Sequence, residues 1–543
     1  MNQAGALADH AALVAALRAA AAYPHPVGTI EVIETHISSV LLAGEHAYKL
    51  KKPVNFGFVD FSTLERRRRF CEEELRLNRR GAPQLYLDVV PITGSRRDPR
   101  IGPAGAEGFE YAVHMRRFDD EARLDRVARA GGLTRGHVDR LAANIAAYHA
   151  QSAPAPGGSV YGAPDLVWRW ADENLGSLER ARLGPADAAR IRELRDWTRT
   201  EFERRAGLFE QRRAAGHVRE CHGDLHLGNL VLLDGAPLPF DCIEFNDELR
   251  YIDVVNDVAF AFMDLIDHDL APLAWRFLGG YCERSGDYEG LATLRFYAVY
   301  RALVRAKIAL LRGRQEGTPP DEQAADTEAL NRYVEVARGL SFPPKPQLVL
   351  MSGVTASGKS TVAALLAEQL GAVRLRSDLE RKRLFRIAPA DHAGAGSGPG
   401  GGIYTAGATQ RTYARLALLA GTLLDAGITP IVDATFLRRD QRQAFRDLAR
   451  DRGVPAVIVA CAAGPGALQA RVAERLARGG DPSDATQEVL DRQLALREPL
   501  SVDEQSCAMQ VDTGTAPAEL EARCRQVALA LAGAGGGGGL AMR

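Results

Sequence analysis

Surplus charge is missing from this sequence: 68 Lys and Arg against 69 Asp and Glu leave a formal net charge of −1 over 543 residues. That balance excludes the global basic field that would draw nucleic acid or an anionic membrane. Cysteine is scarce and unpatterned. The seven (71, 221, 242, 282, 461, 507 and 524) are odd in number and include no C-x-x-C. They read as reduced core thiols, against a disulfide framework or a zinc site. The most apolar helical stretch, Val254 to Ile266, carries Asp257 and Asp264, so it reads as core and not as a membrane span. The N-terminus lacks the basic flank, apolar stretch and cleavage site of a signal peptide, and the cytoplasm is the expected location. No solenoid repeat is visible.

What is present is an ordinary globular composition, 46% apolar and 25% charged, in a chain long enough for two or three domains. A proline cluster, Ser341-Phe342-Pro343-Pro344-Lys345-Pro346, has the character of a stiff linker. Before it, residues 28–116 alternate apolar and polar at period two. They predict strands at Thr29–Thr35, Val40–Ala43, Glu45–Lys51, Leu85–Ile92 and Glu110–Met115, around a helix from Ser62 to about Arg80. Helices dominate 134–213 and 253–340, separated by a loop at 222–229 and two short strands. After the linker, strands at 348–352, 373–376, 429–433, 455–461 and 508–511 alternate with helices, the pattern of a parallel α/β sheet. Gly394–Gly402 and the Gly-rich tail 531–543 read as mobile and disordered.

Two phosphate-binding patterns stand out. Gly353-Val354-Thr355-Ala356-Ser357-Gly358-Lys359-Ser360-Thr361 fits G-x-x-x-x-G-K-[ST], with a buried strand before it and an amphipathic helix after it. Glycines let successive N–H groups converge on a phosphate, and the helix N-terminus adds partial positive charge. Gly353, Ser357, Gly358, Lys359, Ser360 and Thr361 are the expected nucleotide contacts. Lys359 reaches the outer phosphates and Ser360 holds Mg²⁺. A Gly-rich turn that merely precedes a helix is the bland alternative. The nucleotide is ATP or GTP.

The second pattern is His222-Gly223-Asp224-Leu225-His226-Leu227-Gly228-Asn229, spaced as the protein-kinase catalytic loop, with Phe240-Asp241 twelve residues past Asn229. An acceptor hydroxyl needs a carboxylate to orient it and take its proton, which suits Asp224. Magnesium bridging phosphates prefers hard oxygen ligands, which Asn229 and Asp241 supply. His222 reads as structural, His226 as either loop packing or support. Asp253 and Asp257 read as helix caps or loop braces, and the arginine runs 66–69 and 438–442 as solvated helix faces.

H-G-D-L-H-x-x-N followed by a metal-binding Asp resembles the aminoglycoside phosphotransferases and related kinase-like small-molecule kinases, over about residues 25–335. Thr35-His36-Ile37-Ser38-Ser39-Val40, Tyr48-Lys49-Leu50-Lys51-Lys52-Pro53-Val54 and Asp241-Cys242-Ile243-Glu244-Phe245 look like the branch fused to a P-loop ATPase domain, and the whole chain resembles that bifunctional family. The resemblance implies Asp224 as base and Asn229 and Asp241 as magnesium ligands. It places Lys49 (from Ala47-Tyr48-Lys49) on the α and β phosphates, with Lys51 as runner-up. The partner glutamate comes from Glu72, Glu73 or Glu74, and Glu74 is favoured. Two departures stand: Ser38-Ser39 lacks the kinase glycine loop, and the metal motif is D-C-I-E, not D-F-G.

Around the P-loop, Arg376-Ser377-Asp378-Leu379-Glu380-Arg381 ends the second strand, where ligands bind such sheets. It resembles the acceptor-activating segment of gluconate kinase, chloramphenicol phosphotransferase, zeta toxin and phage polynucleotide kinase. That makes Asp378 a candidate base, or a helix cap, and Arg381 an acceptor-side contact. Asp433, ending another strand, is placed to hold the metal's water shell. Arg471, Arg475 and Arg478 share a helix face and resemble the arginine lid of those kinases. A solvated face is the alternative.

The resulting expectation is an α+β bilobal kinase-like domain (1–340), a linker (341–346) and an α/β P-loop kinase or AAA-type ATPase domain (347–530). It would use ATP (or GTP) and Mg²⁺ to phosphorylate a small-molecule hydroxyl. Alternatives are an N-terminal kinase with a regulatory P-loop ATPase, or a C-terminal polynucleotide 5′-hydroxyl kinase, which the neutral charge disfavours. Glu244, Asp247 and Glu248 could line a pocket for a cationic acceptor, or be structural. Oligomeric state is left open.

Overall fold

The computed structural model describes residues 3–57, 59–181, 184–315, 318–387, 403, 405–478 and 486–534, except the side chains of 475–478 and 534. Strands β1 (Glu31–Glu34), β2 (Ser38–Ala43), β3 (His46–Lys51), β4 (Tyr86–Gly94), β5 (Pro99–Ile101) and β6 (Glu110–Arg116) form one antiparallel sheet in the order β1-β2-β3-β6-β4-β5. Period-two alternation splits β3 between two faces. Tyr48 and Leu50 join a core with Leu13, Leu17, Leu41, Val90 and Ile92. Lys49 and Lys51 fall on the opposite face, toward the helix Leu64–Asn78.

That helix starts at an N-cap, Thr63, whose hydroxyl accepts from the Arg66 N–H at 3.3 Å. Its inward stripe is Arg67, Cys71, Glu74 and Asn78, spaced four, three and four. The expected solvated arginine face 66–69 is corrected here: Arg67 is buried and its guanidinium forks onto Glu110 at 2.9 and 3.0 Å. A guanidinium tolerates burial only with a carboxylate to receive it, and Glu110 lies on β6, 43 residues away. Strands β7 (Val218–Glu220), β8 (Leu230–Leu233), β9 (Ala236–Pro239) and β10 (Tyr251–Asp253) make two small antiparallel pairs flanking the 222–229 loop.

The second sheet is parallel. Strands β11 (Leu348–Ser352), β12 (Ala372–Arg376), β13 (Thr429–Asp433), β14 (Ala456–Ala462) and β15 (Ala508–Asp512) run in the order β12-β13-β11-β14-β15. β11 is central, and every residue of it is buried. The arginine run 438–442 also departs from a solvated face: Arg442 is 1% exposed and forks onto Glu504 at 2.7 and 3.0 Å.

The compact units do not follow chain order. One comprises Met1–Glu173 and Phe202–Asp264, the other Asn174–Glu201 and Leu265–Arg543. The helices Ala271–Ser285 and Leu294–Gly313 therefore share a unit with the parallel sheet. Arg374 of β12 donates to Glu283 at 2.6 and 2.9 Å, and Arg295 donates to the Gly427 carbonyl at 2.8 Å. The last helix, Pro517–Ala534, extends four residues into the stretch read as a tail. The remainder of that tail and Gly394–Gly402 lie outside the described residues. All seven cysteines are free, and no helix among the described residues is long and apolar enough to cross a membrane.

Candidate active sites

The first candidate site assembles where β3, the helix Leu64–Asn78 and the loops 222–229 and 240–245 meet. Two buried carboxylates shape the catalytic-type loop. Asp257 accepts from the His222 and Gly223 N–H groups at 2.9 and 3.0 Å, and Asp264 accepts from Leu227 N–H at 2.7 Å. Asp257 thus braces the loop, as its sequence position suggested. Gly223 sits at φ 85°, and a Cβ there would lie 2.7 Å from the Leu249 carbonyl oxygen, so only glycine fits. His222 donates from Nε2 to the Phe240 carbonyl at 2.8 Å, and its Nδ1 accepts from Asp224 N–H at 3.3 Å. Burial lowers its pKa and keeps it neutral, in keeping with a structural part.

This scaffold presents Asp224 half-buried. Asn229 donates from Nδ2 to the Asp224 carboxylate at 2.9 Å and to its carbonyl at 3.0 Å. Because the amide nitrogen faces Asp224, the amide oxygen is turned away from it. His226 Nδ1 accepts from Gly228 N–H, which leaves the proton on Nε2, 3.4 Å from the Asp224 carboxylate. Asp241 adopts a left-handed φ of 61°, pinned by its N–H on the Tyr86 hydroxyl at 3.0 Å and by Cys242 N–H on Asn78 Oδ1 at 2.9 Å. Such strain in a non-glycine residue persists only where neighbours over-determine it.

Charges converge behind Asp241. Lys49 Nζ lies 2.8 Å from Glu74 Oε1 and 2.5 Å from Asp241 Oδ1. Lys51, fully buried, bonds the other Glu74 oxygen at 2.7 Å and also Glu244. Burial alone would raise the Glu74 carboxyl. The ammonium groups of Lys49 and Lys51 outweigh it and hold the pKa at about 2. Burial would lower Lys49, but Asp241 and Glu74 raise it well above its ordinary range. Of the three consecutive glutamates, only Glu74 points inward: Glu73 pairs with Arg76 and Glu72 with Arg68. The residues offered for a cationic pocket are committed elsewhere. Glu244 pairs with Lys51, Asp247 with Arg250 at 2.6 Å, and Glu248 with Arg169.

The second candidate site lies at the carboxyl edge of the parallel sheet. Parallel pairing sets Met351 and Arg376 both beside Asp433, so the loop after β11, the helix start at Ser377 and the end of β13 share one edge. The helix Lys359–Leu370 begins directly behind the glycine loop, with Gly358 at φ 78°. A Cβ on Gly358 would lie 2.9 Å from Thr513 Cβ. Lys359 Nζ folds onto the Val354 carbonyl at 2.7 Å, and Ser360 and Thr361 are exposed. Asp378 has its pKa raised by burial and by Asp433, against Arg376, Arg381 and Lys359, so these groups share one electrostatic neighbourhood. Arg381 donates to the Ile403 carbonyl at 2.9 Å.

Arg471 is half-buried and bonded to the glycine loop itself. It donates to the Ala356 carbonyl at 3.2 Å, to Thr513 Oγ1 at 3.1 Å and to the Thr513 carbonyl at 2.5 Å, bracing the loop from behind. The side chains of Arg475 and Arg478 lie outside the described residues. Thr513 completes the brace by donating to the Ser357 carbonyl at 2.9 Å. No motif spacing could have found Thr513, which joins the loop from 156 residues away.

Both donor sets suit a hard cation. The Asn229 amide oxygen and the Asp241 carboxylate, 43% exposed, fit magnesium at the first site. The exposed Ser360 hydroxyl and Asp433 fit it at the second.

Two matches agree with this geometry. Residues 63–297 match the phosphotransferase enzyme family and residues 348–500 an AAA domain. The class is thus a phosphotransferase that joins a kinase-like domain to a P-loop kinase-type domain. An uncharacterized protein of Mycobacterium tuberculosis and one of Mycobacterium bovis are each 35% identical over 472 residues, 86% of this chain and 90% of theirs, and the chain belongs to their family. Among solved structures, a sugar kinase from Janibacter sp. is 23% identical over 35% of this chain and 97% of its own, with a TM-score of 0.27. A Plasmodium vivax ethanolamine kinase is 12% identical over 58% and 82%, with a TM-score of 0.36.

Proposed function

We propose that the protein carries two magnesium-dependent nucleotide sites, one in a kinase-like domain within 1–340 and one in a P-loop domain within 347–530. Each transfers the γ-phosphoryl of ATP to a hydroxyl of a small molecule such as a sugar or an aminoglycoside-like metabolite. The observation that carries the reading is the convergence of Lys49, Glu74, Asp224, Asn229 and Asp241 from four separate segments. At the first site Asp224 orients the acceptor hydroxyl and accepts its proton as the new O–P bond forms and the β–γ bridge breaks to release ADP. Lys49, held by Glu74, contacts the α and β phosphates. Asn229 and Asp241 would hold magnesium, which when bound would neutralise charge on the phosphates.

At the second site Gly353, Ser357, Gly358, Lys359, Ser360 and Thr361 cradle the nucleotide, Ser360 and Asp433 serve the metal, and Asp378 is the acceptor base. Burial raises the pKa of Asp378, which suits a carboxylate that takes a proton at the phosphate edge, from an acceptor hydroxyl in a kinase or from water in an ATPase, and the resemblance of 376–381 to small P-loop kinases favours the former. The committed ion pairs of Glu244, Asp247 and Glu248 give no support to a polycationic acceptor held by those residues. The test is transfer of the γ-phosphoryl by the full chain to a panel of hydroxylated metabolites, sugars and aminoglycosides. Asp224→Asn and Asp378→Asn should each abolish a different subset of products. If neither substitution alters any product, the reading of two kinase sites fails.

A further inference from the structure

The five charged groups behind Asp224 divide by their access to solvent. Lys49 and Asp241 reach it, with side chains 12% and 43% exposed. Lys51, Glu74 and Glu244 do not, at 0%, 0% and 4%. The Lys51 ammonium is enclosed by its two buried carboxylates and by the Phe61 ring, whose centroid lies 4.9 Å away. So enclosed, it is not the cation that meets phosphate. Glu74 is the member that the two lysines share. Its Oε1 accepts from Lys49 at 2.8 Å and its Oε2 from Lys51 at 2.7 Å. Two residues apart on β3, the lysines fall on one face of the strand.

The segment 241–244 holds its place without Lys51. The Asp241 and Cys242 N–H groups are bonded to the side chains of Tyr86 and Asn78. Ile243 N–H donates to the His222 carbonyl at 3.0 Å, and Arg250 donates to the Ile243 and Glu244 carbonyls at 3.0 and 3.1 Å. What these bonds do not supply is charge, and a buried carboxylate needs a cation. Served by Lys49 alone, Glu74 would draw that ammonium onto both of its oxygens. An ammonium has only three N–H donors. Lys49 now directs them at Glu74 and Asp241. It can turn a donor from Asp241 to a phosphate only while the second Glu74 oxygen has another partner.

Resting on the kinase reading of the first site, we infer that Lys51 is a positioning residue for phosphate binding by Lys49. It keeps Glu74 Oε2, so that Lys49 retains Oε1 and exchanges Asp241 for a phosphate oxygen of the nucleotide. Lys49 is the exchangeable cation of the cluster and Lys51 the fixed one, with Glu244 to balance it.

The experiment is calorimetric titration of the full chain carrying Lys359→Ala with magnesium and a non-hydrolysable ATP analogue, so that the first site alone is read. Adding Lys51→Met should weaken the analogue by roughly tenfold or more, the scale of a hydrogen bond to a charged group. That variant also leaves Glu244 unpaired, so a second one separates binding from folding. Lys51→Met combined with Glu244→Met removes both charges of the buried pair, and stability in urea should return toward that of the parent. The analogue should stay weak, because Glu74 Oε2 still lacks its ammonium. Affinity that recovers along with stability would show that Lys51 serves Glu244 alone. Parent affinity in either variant would show no part in binding. Each result overturns the inference while leaving the site itself standing. If Lys49→Ala leaves the isotherm unchanged, or the Lys359→Ala protein gives none, the reading of the first site fails and this inference with it.

Discussion

The two candidate sites do similar work with different materials. The first is built from side-chain charge: two ammonium groups and three carboxylates, Lys49, Lys51, Glu74, Asp241 and Glu244, meet behind the loop that presents Asp224. The second is built from backbone: a loop of N–H groups whose shape is fixed from behind by Thr513, Arg471 and Gln493. Charge in a buried network is worth much when complete and is costly when one member is removed. Backbone donors are removed by proline alone, and any other substitution can only displace them. The first site should therefore fail by loss of charge at constant shape, and the second by loss of Lys359 or of the loop's supports.

The largest expected effects separate the two outright. Asp224→Asn keeps the side-chain shape and removes the base, so turnover at the first site should fall by about 10² to 10⁴ with nucleotide affinity little changed. Lys359→Ala should instead abolish nucleotide binding at the second site and leave the first active. Steady-state transfer and equilibrium binding on the same two variants check this. If Asp224→Asn weakens binding and spares turnover, the kinase reading of 222–241 collapses.

Next in size is Lys51→Met. It leaves Glu74 and Glu244 facing each other without their shared cation, and breaking a buried pair costs about 3–5 kcal/mol. Chemical denaturation should show a loss of that order. A loss below 1 kcal/mol would mean the network is solvated in practice and the contrast between the sites is overstated.

The network also predicts an acid response. Glu74 has a folded pKa of about 2 against an ordinary 4.5. Its contribution is thus fully present above the ordinary value and is lost as pH falls from about 5 through 2. The lowering corresponds to about 3 kcal/mol. Urea melts across that window should show a smaller pH dependence, by that amount, in Glu74→Gln than in wild type. Parallel slopes would show that Lys49 and Lys51 do not hold Glu74 ionised.

The smallest effect belongs to the second site. Thr513→Val keeps volume but removes the hydroxyl that joins the Ser357 and Ala462 carbonyls and accepts from Arg471. About 1–2 kcal/mol of stability should be lost, with a several-fold fall in P-loop nucleotide affinity seen by titration and no change in transfer at the first site.

The sequence by itself determined the elements and the chemistry that travels in short motifs. Period-two alternation located the main strands of the first sheet, and strand–loop–helix spacing located all five strands of the parallel sheet within a residue or so. Local backbone preference and local spacing are enough for both. It also singled out Glu74, because helical periodicity places it in line with Cys71. It could not show that Arg67 and Arg442 are buried, because their partners Glu110 and Glu504 come from distant segments and a run of arginines otherwise reads as solvated.

Only the tertiary structure decided that Lys49 and Lys51 share one glutamate, that Arg471 joins the Ala356 carbonyl to Thr513, and that Gln493 accepts from the Thr355 N–H. Each depends on a polar group finding its partner across 23 to 138 residues. That is a property of packing, and no local pattern in the chain encodes it.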